Sequence, residues 1–376
     1  MAGNVDVVYV LPVLEPAGAE RVVAELARRL PAHGFATSVI CLEDERAPVG
    51  AELAAAGVPV QGLRLSRRRS LACARGIVAR LPARRPLLVH SHLFHANIAA
   101  RMAHRQLSDE ARRGVQVLST VHVAERRFRP WQFALDRLTA VHARAEVCVS
   151  RAVARFQQEH TGLPAAFFRV IENGIDVGRF ADAPYPPPDR RGTGGENAPL
   201  VVSIGRLDPQ KDFPTLLQAW KTVEAEFPGA RLALAGTGPD EQSLRSICAF
   251  LRLANVEFLG FVQDVPALLR QASLYVQSSA WEGFGLTVAE AMAAARPVIV
   301  SDADSLPELV TDGRTGVVVP KGRPEAFAAA MLALLRDPAR AAQLAAAARA
   351  EALRRFPVER MVADYARLYQ EILCAS

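Results

Sequence analysis

Two carboxylates, Glu282 and Glu290, are separated by seven residues across a glycine-punctuated loop that runs straight into a helical pattern. Gly283 and Gly285 allow the backbone to approach a ligand closely and to adopt conformations denied to other residues. The alanine-rich stretch Leu286 to Ala295 reads as a buried helix ended by Arg296-Pro297. N–H groups at the start of such a helix favour an anion in front of it. Glu282 then lies in the loop before the anion site, and Glu290, about one turn into the helix, lies behind it. This spacing suits a phosphate flanked by hydroxyl-rich sugars, the shape of a nucleotide-sugar.

Two cations complete this set. Arg206 and Lys211 follow the apolar run Leu200–Ile204, on a loop at the carboxyl end of an expected strand. Open α/β sheets bind ligands at that end. A guanidinium and an ammonium there could hold a diphosphate and stabilise its negative charge as it departs. Lysine is scarce, with three residues against 42 arginines. Ala235-Gly236-Thr237-Gly238-Pro239 reads as a tight strand-to-helix turn. Pro12–Glu20 has Gly18 as its only glycine and fails the G-x-G-x-x-G pattern, which disfavours a redox dinucleotide fold. His122, just after the apolar run Val115–Thr120, could hydrogen-bond a substrate hydroxyl, although lone histidines are more often structural. Asp302-Ala303-Asp304 offers too few ligands for Mg²⁺ and reads as a polar loop.

The elements that must position these residues alternate along the chain. Strands are expected at Val5–Leu11, Thr37–Leu42, Leu87–His90, Val115–Thr120 and Ala145–Val149, with helical patterns between them. A Pro- and Gly-rich break at 184–198 reads as a linker between a first domain, 1–183, and a second, 199–356. The alternation restarts at Leu200–Ile204 and continues through Arg231–Ala235, Val256–Leu259, Leu274–Gln277, Val298–Val300 and Gly316–Val319. Two long helices, Ala339–Arg355 and Val358–Leu373, close the chain. The pattern is α/β: two doubly wound Rossmann-like domains facing a central cleft.

Composition narrows the function classes. At 376 residues, half apolar and 22% charged, the chain suits two globular domains. No apolar run approaches the ~18 residues of a membrane span, and the first ten residues read as a strand, not a signal peptide. Five scattered cysteines without a C-x-x-C pair read as free thiols in a reducing compartment. No His/Cys/Asp cluster has metal-site spacing, so no metal is expected. Net charge is +6, and residues 1–180 hold 25 Arg against 16 Asp and Glu. That surplus, dense at Arg67–Arg69, suits an anionic membrane surface or phosphate-bearing acceptor, or simply a solvated arginine-rich face. Nucleic acid is not expected, because no recognised module is present.

Taken together, Ala17–Val23, Val89–His92, Thr120–His122, Glu172–Asp176, Gly205–Leu207 with Lys211, Gly236–Pro239 and the two-glutamate segment resemble the family 4 glycosyltransferases, retaining enzymes of the GT-B fold. The resemblance implies that Arg206 and Lys211 bind the donor diphosphate and Glu290 the nucleotide ribose. It implies that Glu282 and the backbone of Gly283, Phe284, Gly285 and Leu286 face the transferred sugar, with the Leu286 and Thr287 amides on the phosphate. His122 would contact the sugar from the other domain, and Gly18 would lie near the diphosphate. Gly238 and Asn173 join the substrate-binding positions, and the last helix, about 357–376, would cross back onto the first domain. Glu282, Arg206, Lys211 and His122 form the implied catalytic set.

The implied activity is a metal-independent hexosyl transfer that retains anomeric configuration, with no cofactor beyond the nucleotide-sugar substrate. A lipid-linked glycan precursor at the inner membrane face is the expected acceptor, placing the chain in the cytoplasm with peripheral membrane contact. The alternatives are a soluble small-molecule acceptor, a nucleotide-sugar-binding protein and an epimerase of the same fold. Two departures from the family pattern stand out: Ala17 and Asp304-Ser305 occupy places where glycines are common.

Overall fold

The computed structural model describes residues 5–84, 86–180 and 198–374. The chain divides into two compact units, Met1–Gly174 with Val358–Ser376, and Ile175–Pro357. Apart from Ala198, the expected linker lies outside the described residues.

In the first unit the described elements run β1 (Val5–Leu11), α1 (Gly18–Arg29), β2 (Phe35–Cys41), α2 (Pro48–Ala55), β3 (Val60–Gly62), α3 (Ser70–Val78), β4 (Leu87–His92) and α4 (Phe94–Gln106). They continue with α5 (Asp109–Arg113), β5 (Val115–Val121), α6 (Pro130–Thr139), β6 (Ala145–Cys148), α7 (Arg151–Thr161) and β7 (Phe168–Val170). The strands pair in parallel in the order β3-β2-β1-β4-β5-β6-β7. Their β-branched runs are buried because helices cover both faces of a parallel sheet. One face carries a cluster built from Val8, Val10, Ile40, Val89 and Val117 with Ala96, Ala99 and Ala100 of α4. The strand order reverses between β1 and β4, so a crevice opens there at the carboxyl ends of the strands.

The second unit holds β8 (Leu200–Ile204), α8 (Phe213–Glu226), β9 (Arg231–Ala235), α9 (Glu241–Leu251), β10 (Val256–Gly260), α10 (Val265–Gln271) and β11 (Leu274–Gln277). It continues with α11 (Leu286–Ala293), β12 (Val298–Ser301), α12 (Leu306–Leu309), β13 (Val317–Val319), α13 (Pro324–Arg336) and α14 (Pro338–Arg355). Its parallel sheet has the order β10-β9-β8-β11-β12-β13, with the reversal between β8 and β11. Trp220, fully buried on α8, packs in a core with Phe213, Leu234, Val276, Ile299 and Phe327. The last helix, α15 (Val358–Cys374), belongs to the first unit and packs against α1.

Three differences from the sequence reading have simple causes. β3 and β7, each three residues long, were too short to leave a periodic signal. β4 runs on through Ser91 and His92, which are polar yet buried because they hydrogen-bond within the sheet layer. The helix expected over Leu286–Ala295 stops two residues early, with Ala294 as its cap and Ala295 at φ +53°.

Candidate active site

The switch point of the second unit is where its charged residues gather. The loop after β8 forms a 3₁₀ turn, Pro209–Lys211, with the Asp208 carboxylate accepting the Gln210 N–H at 3.1 Å. Asp212 then takes a left-handed conformation (φ +46°), and its carboxylate accepts the Thr215 hydroxyl at 2.7 Å. The loop after β11 is stitched to this turn. Ala280 N–H donates to the Gln210 carbonyl (2.8 Å), and the Ser278 hydroxyl donates to the Lys211 carbonyl (2.8 Å). Lys211 thereby aims its Nζ at Glu282 Oε2, 2.6 Å away, with side chains 14% and 9% exposed. Gly205 makes room for the lysine stem, since a Cβ there would lie 3.0 Å from Lys211 Cε.

Glu282 also anchors a polar relay. Its Oε2 accepts the Ser279 hydroxyl (3.1 Å), which accepts from Gln277 Nε2 (2.7 Å). Gln277 Oε1 accepts from the Tyr275 hydroxyl (2.6 Å), and that hydroxyl lies 2.7 Å from Thr287 Oγ1 on α11. Burial pushes the Tyr275 phenol well above its usual range, and the Glu290 and Glu282 carboxylates push it the same way. Tyr275 therefore stays a protonated donor. Glu290, half-buried on α11, faces the same polar region.

The start of α11 is set by Gly285 at φ +96°, a conformation that favours glycine, and the Gly285 carbonyl accepts from Val288 and Ala289. Leu286 and Thr287 supply its first-turn amides, which an α-helix leaves without an internal acceptor. Phe284 contributes backbone to this loop. Its ring is buried, edge-on to Phe356 with centroids 5.6 Å apart. The Asp304-Ser305 departure has a physical account. Asp304 sits at φ +41°, where glycine is the easy choice, and its carboxylate accepts the Glu282 N–H at 3.1 Å. The buried Ser305 hydroxyl donates to the Phe284 carbonyl at 3.2 Å. Both side chains brace the loop that carries Glu282. Asp302 is likewise engaged, accepting the Lys321 N–H at 2.9 Å. Among the described residues, no group of three or more His, Cys, Asp or Glu is placed to hold a metal ion.

Arg206 rises from the same loop as Lys211, 72% exposed, its Nε 3.8 Å from Asp208 Oδ2. Gly236 and Gly238 are backbone-packing positions. A Cβ on Gly236 would lie 2.0 Å from the Gly205 carbonyl oxygen, and one on Gly238 would lie 2.2 Å from that of Leu207.

In the first unit, His122 stands at the end of β5, its Nε2 2.9 Å from His92 Nδ1. His92 lies against His90 with ring centroids 4.1 Å apart and the planes tilted by 41°. His90 is held between the Tyr369 hydroxyl of α15 (2.6 Å) and the Thr120 hydroxyl (2.7 Å), and Tyr369 lies 3.1 Å from the Tyr9 hydroxyl. Nothing in the sequence marked Tyr9 and Tyr369 as members of this cluster; the alternation of His90 and His92 along β4 was the one available signal. Gly18 is exposed in the first turn of α1, after Ala17, whose extended backbone (φ −125°) needs no glycine. Glu20, two residues on, is buried, and burial raises its carboxyl to about 7. Asn173 is buried with its Oδ1 lacking a partner, while Arg360 of α15 donates to its carbonyl at 3.3 Å.

Burial holds all three histidines below the usual imidazole range, His122 at about 3. Unfolded imidazoles titrate near 6.5, so between the two values the unfolded chain binds more protons. The stability this cluster contributes is therefore complete above about pH 6.5 and is lost as pH falls toward 3, by ~1.4 kcal/mol per pH unit per histidine. In an NMR titration of ¹³C-labelled histidine, His122 is expected to stay neutral down to pH 4. A midpoint near 6.5 would contradict a neutral, desolvated His122.

Comparison with known proteins fits these two units. The family model described as Glycosyltransferase Family 4 matches residues 16–179, and that described as Glycosyl transferases group 1 matches residues 189–351. A phosphatidyl-myo-inositol mannosyltransferase of Mycobacterium leprae is 33% identical over 261 residues, covering 67% of this chain and 64% of the relative. A GDP-mannose-dependent alpha-(1-6)-phosphatidylinositol monomannoside mannosyltransferase of Mycolicibacterium smegmatis is 32% identical over 212 residues, covering 50% and 53%. The matched part thus spans less than two thirds of either relative. Among solved structures, Anabaena HepE in complex with UDP superposes with a TM-score of 0.82 at 22% identity, covering 97% of this chain and 100% of that one. That likeness shows the GT-B fold. With both family models matched in sequence along the two α/β units, the chain belongs to the family 4 glycosyltransferases.

Proposed function

We propose that the chain transfers a hexose from a nucleoside-diphosphate sugar to an acceptor hydroxyl with retention of anomeric configuration and without a metal ion. The observation that carries this reading is the Lys211–Glu282 pair at the switch point of the second unit, beside Arg206 and the first turn of α11. An arriving diphosphate offers Lys211 a second anionic partner, and the exposed Arg206 can swing onto it. Pre-organised cations of this kind stabilise charge as it develops on the leaving group. The C1–O bond to the diphosphate breaks and the acceptor oxygen bonds C1 on the same face. The acceptor proton passes to the departing phosphate oxygen.

Glu282 is proposed to face the sugar, Glu290 to hold the ribose, and the Leu286 and Thr287 amides to bind phosphate. The neutral His122 is proposed as a hydrogen-bond partner of a sugar hydroxyl. Gly18 and Asn173 are proposed near the substrate, whereas Gly238 acts by letting the Leu207 loop pack closely. The mannosyltransferase relatives favour GDP-mannose as the first donor to test and a phosphatidylinositol-type glycolipid as the first acceptor. HepE, crystallised with UDP and glucose, makes UDP-glucose the second donor to test.

The reading is tested by thermal unfolding with a panel of nucleotide-sugars in EDTA. At one hundred times Kd, a bound donor adds ~2.7 kcal/mol of stability, and the shift is expected to vanish in Glu290→Ala. A shift that persists in that variant would remove Glu290 from the donor site.

A further inference from the structure

We infer that the outward face of α6 is a docking surface for an anionic lipid bilayer. Trp131, Leu138 and Val141 are 59%, 73% and 80% exposed, and Ala134 is exposed with them. At ~100° per residue, positions 131, 134, 138 and 141 fall on one stripe of α6 and of the 3₁₀ turn that extends it. The opposite stripe, Phe133, Asp136 and Thr139, is buried. A large apolar stripe on a helix ordinarily faces a partner, and within this unit the outer stripe of α6 is open.

The inner stripe anchors α6 independently of the outer one. Phe133 packs among Phe128 and Phe156, with ring centroids 5.7 and 5.9 Å away, and Asp136 pairs with the buried Arg101. The helix start is fixed by Gln132 Oε1 accepting the Arg129 N–H at 3.0 Å. The outer residues are therefore dispensable for folding.

Charge identifies the occupant. Seven arginines lie between His122 and His160, all exposed, among them Arg126, Arg127 and Arg129 just before α6 and Arg137 on it. The four acidic residues of that span are divided: Glu146 and Asp136 are buried against Arg101, leaving Glu125 and Glu159 to offset the arginines. α4 packs against both α3 and α6, so the exposed run Arg67–Arg69 that opens α3 belongs to the same helical layer. Trp and Leu on an outward stripe rimmed by arginine match an interfacial helix, which buries its apolar face at the headgroup level while its cations meet anionic lipid.

Sedimentation with phosphatidylcholine vesicles, with and without phosphatidylglycerol, tests this. The whole chain is expected to bind the anionic vesicles at low salt, to release them as salt rises, and to ignore pure phosphatidylcholine. Trp131 emission is expected to shift to the blue on binding, while the buried Trp220 stays constant. The double variant W131A/L138A is expected to lose vesicle binding at least about tenfold, from the apolar area removed. Its unfolding midpoint and its donor-induced thermal shift should match wild type, so this inference can fail separately from the transfer reading. Unchanged vesicle binding by the variant would overturn it, as would a wild-type dimer that the variant dissolves, since a second copy would then be the occupant.

Discussion

Lys211→Ala is expected to lower sugar transfer by ~10²–10³-fold, the usual consequence of losing one pre-organised charge-stabilising group. The variant should fold, because the turn that carries Lys211 is held by Asp208, by the Ser278 hydroxyl on the Lys211 carbonyl, and by Ala280 on the Gln210 carbonyl. None of these uses the ammonium. Glu282 would keep the Ser279 hydroxyl at 3.1 Å but lose its cation at 2.6 Å. Removing one partner of a largely buried pair leaves the other charge uncompensated, so some loss of stability accompanies the loss of rate. Lys211→Met also removes the ammonium but keeps the stem that lies over Gly205, so the difference between the two variants isolates the loss of packing from the loss of charge. Initial-rate kinetics on both variants decide the matter, and near-wild-type turnover in either would refute a catalytic Lys211.

Gly238→Ala is the second large effect, and it acts through the fold. Its Cβ would meet Leu207 oxygen at 2.2 Å, carbon at 2.6 Å and nitrogen at 2.7 Å, all backbone atoms that cannot rotate away. Overpacking of this kind costs about 1–3 kcal/mol and sometimes more, or roughly 2–12 °C in the midpoint of a unit this size. The displaced Leu207 carries Arg206 and Asp208 beside it, so donor binding should weaken together with stability. Gly322→Ala is the comparison: at φ +65° with no atom within 4 Å, it should cost only ~1–2 kcal/mol. Calorimetry that found Gly238→Ala as stable as wild type but unable to bind donor would show a direct ligand contact instead.

Much of this was legible in the sequence. The alternation of apolar runs with helical patterns gave both parallel sheets, because strands covered on two faces must be apolar throughout. The glycines around Phe284 marked the entry to α11, and Gly285 does take a positive φ there. What escaped was contact across long sequence separations. Nothing in the spacing of Lys211 and Glu282 announced a 2.6 Å pair, or that Tyr275 and Gln277 would link Glu282 to Thr287. Asp304 read as a polar loop residue and a break in the family pattern, yet its carboxylate holds the Glu282 amide. The outward stripe of α6 was not legible because periodicity marks an apolar face without showing whether anything covers it.

The second unit is proposed to grip a nucleoside diphosphate with side-chain cations and a helix start instead of a divalent ion. Calorimetric titration of GDP-mannose and UDP-glucose into the chain in EDTA tests it directly. One of them is expected to bind with an affinity unchanged by added Mg²⁺ and weakened at least about tenfold in Arg206→Ala, in line with the ~1.5–3 kcal/mol of a charged hydrogen bond. Binding that appears only with Mg²⁺, or that ignores the loss of Arg206, would contradict it.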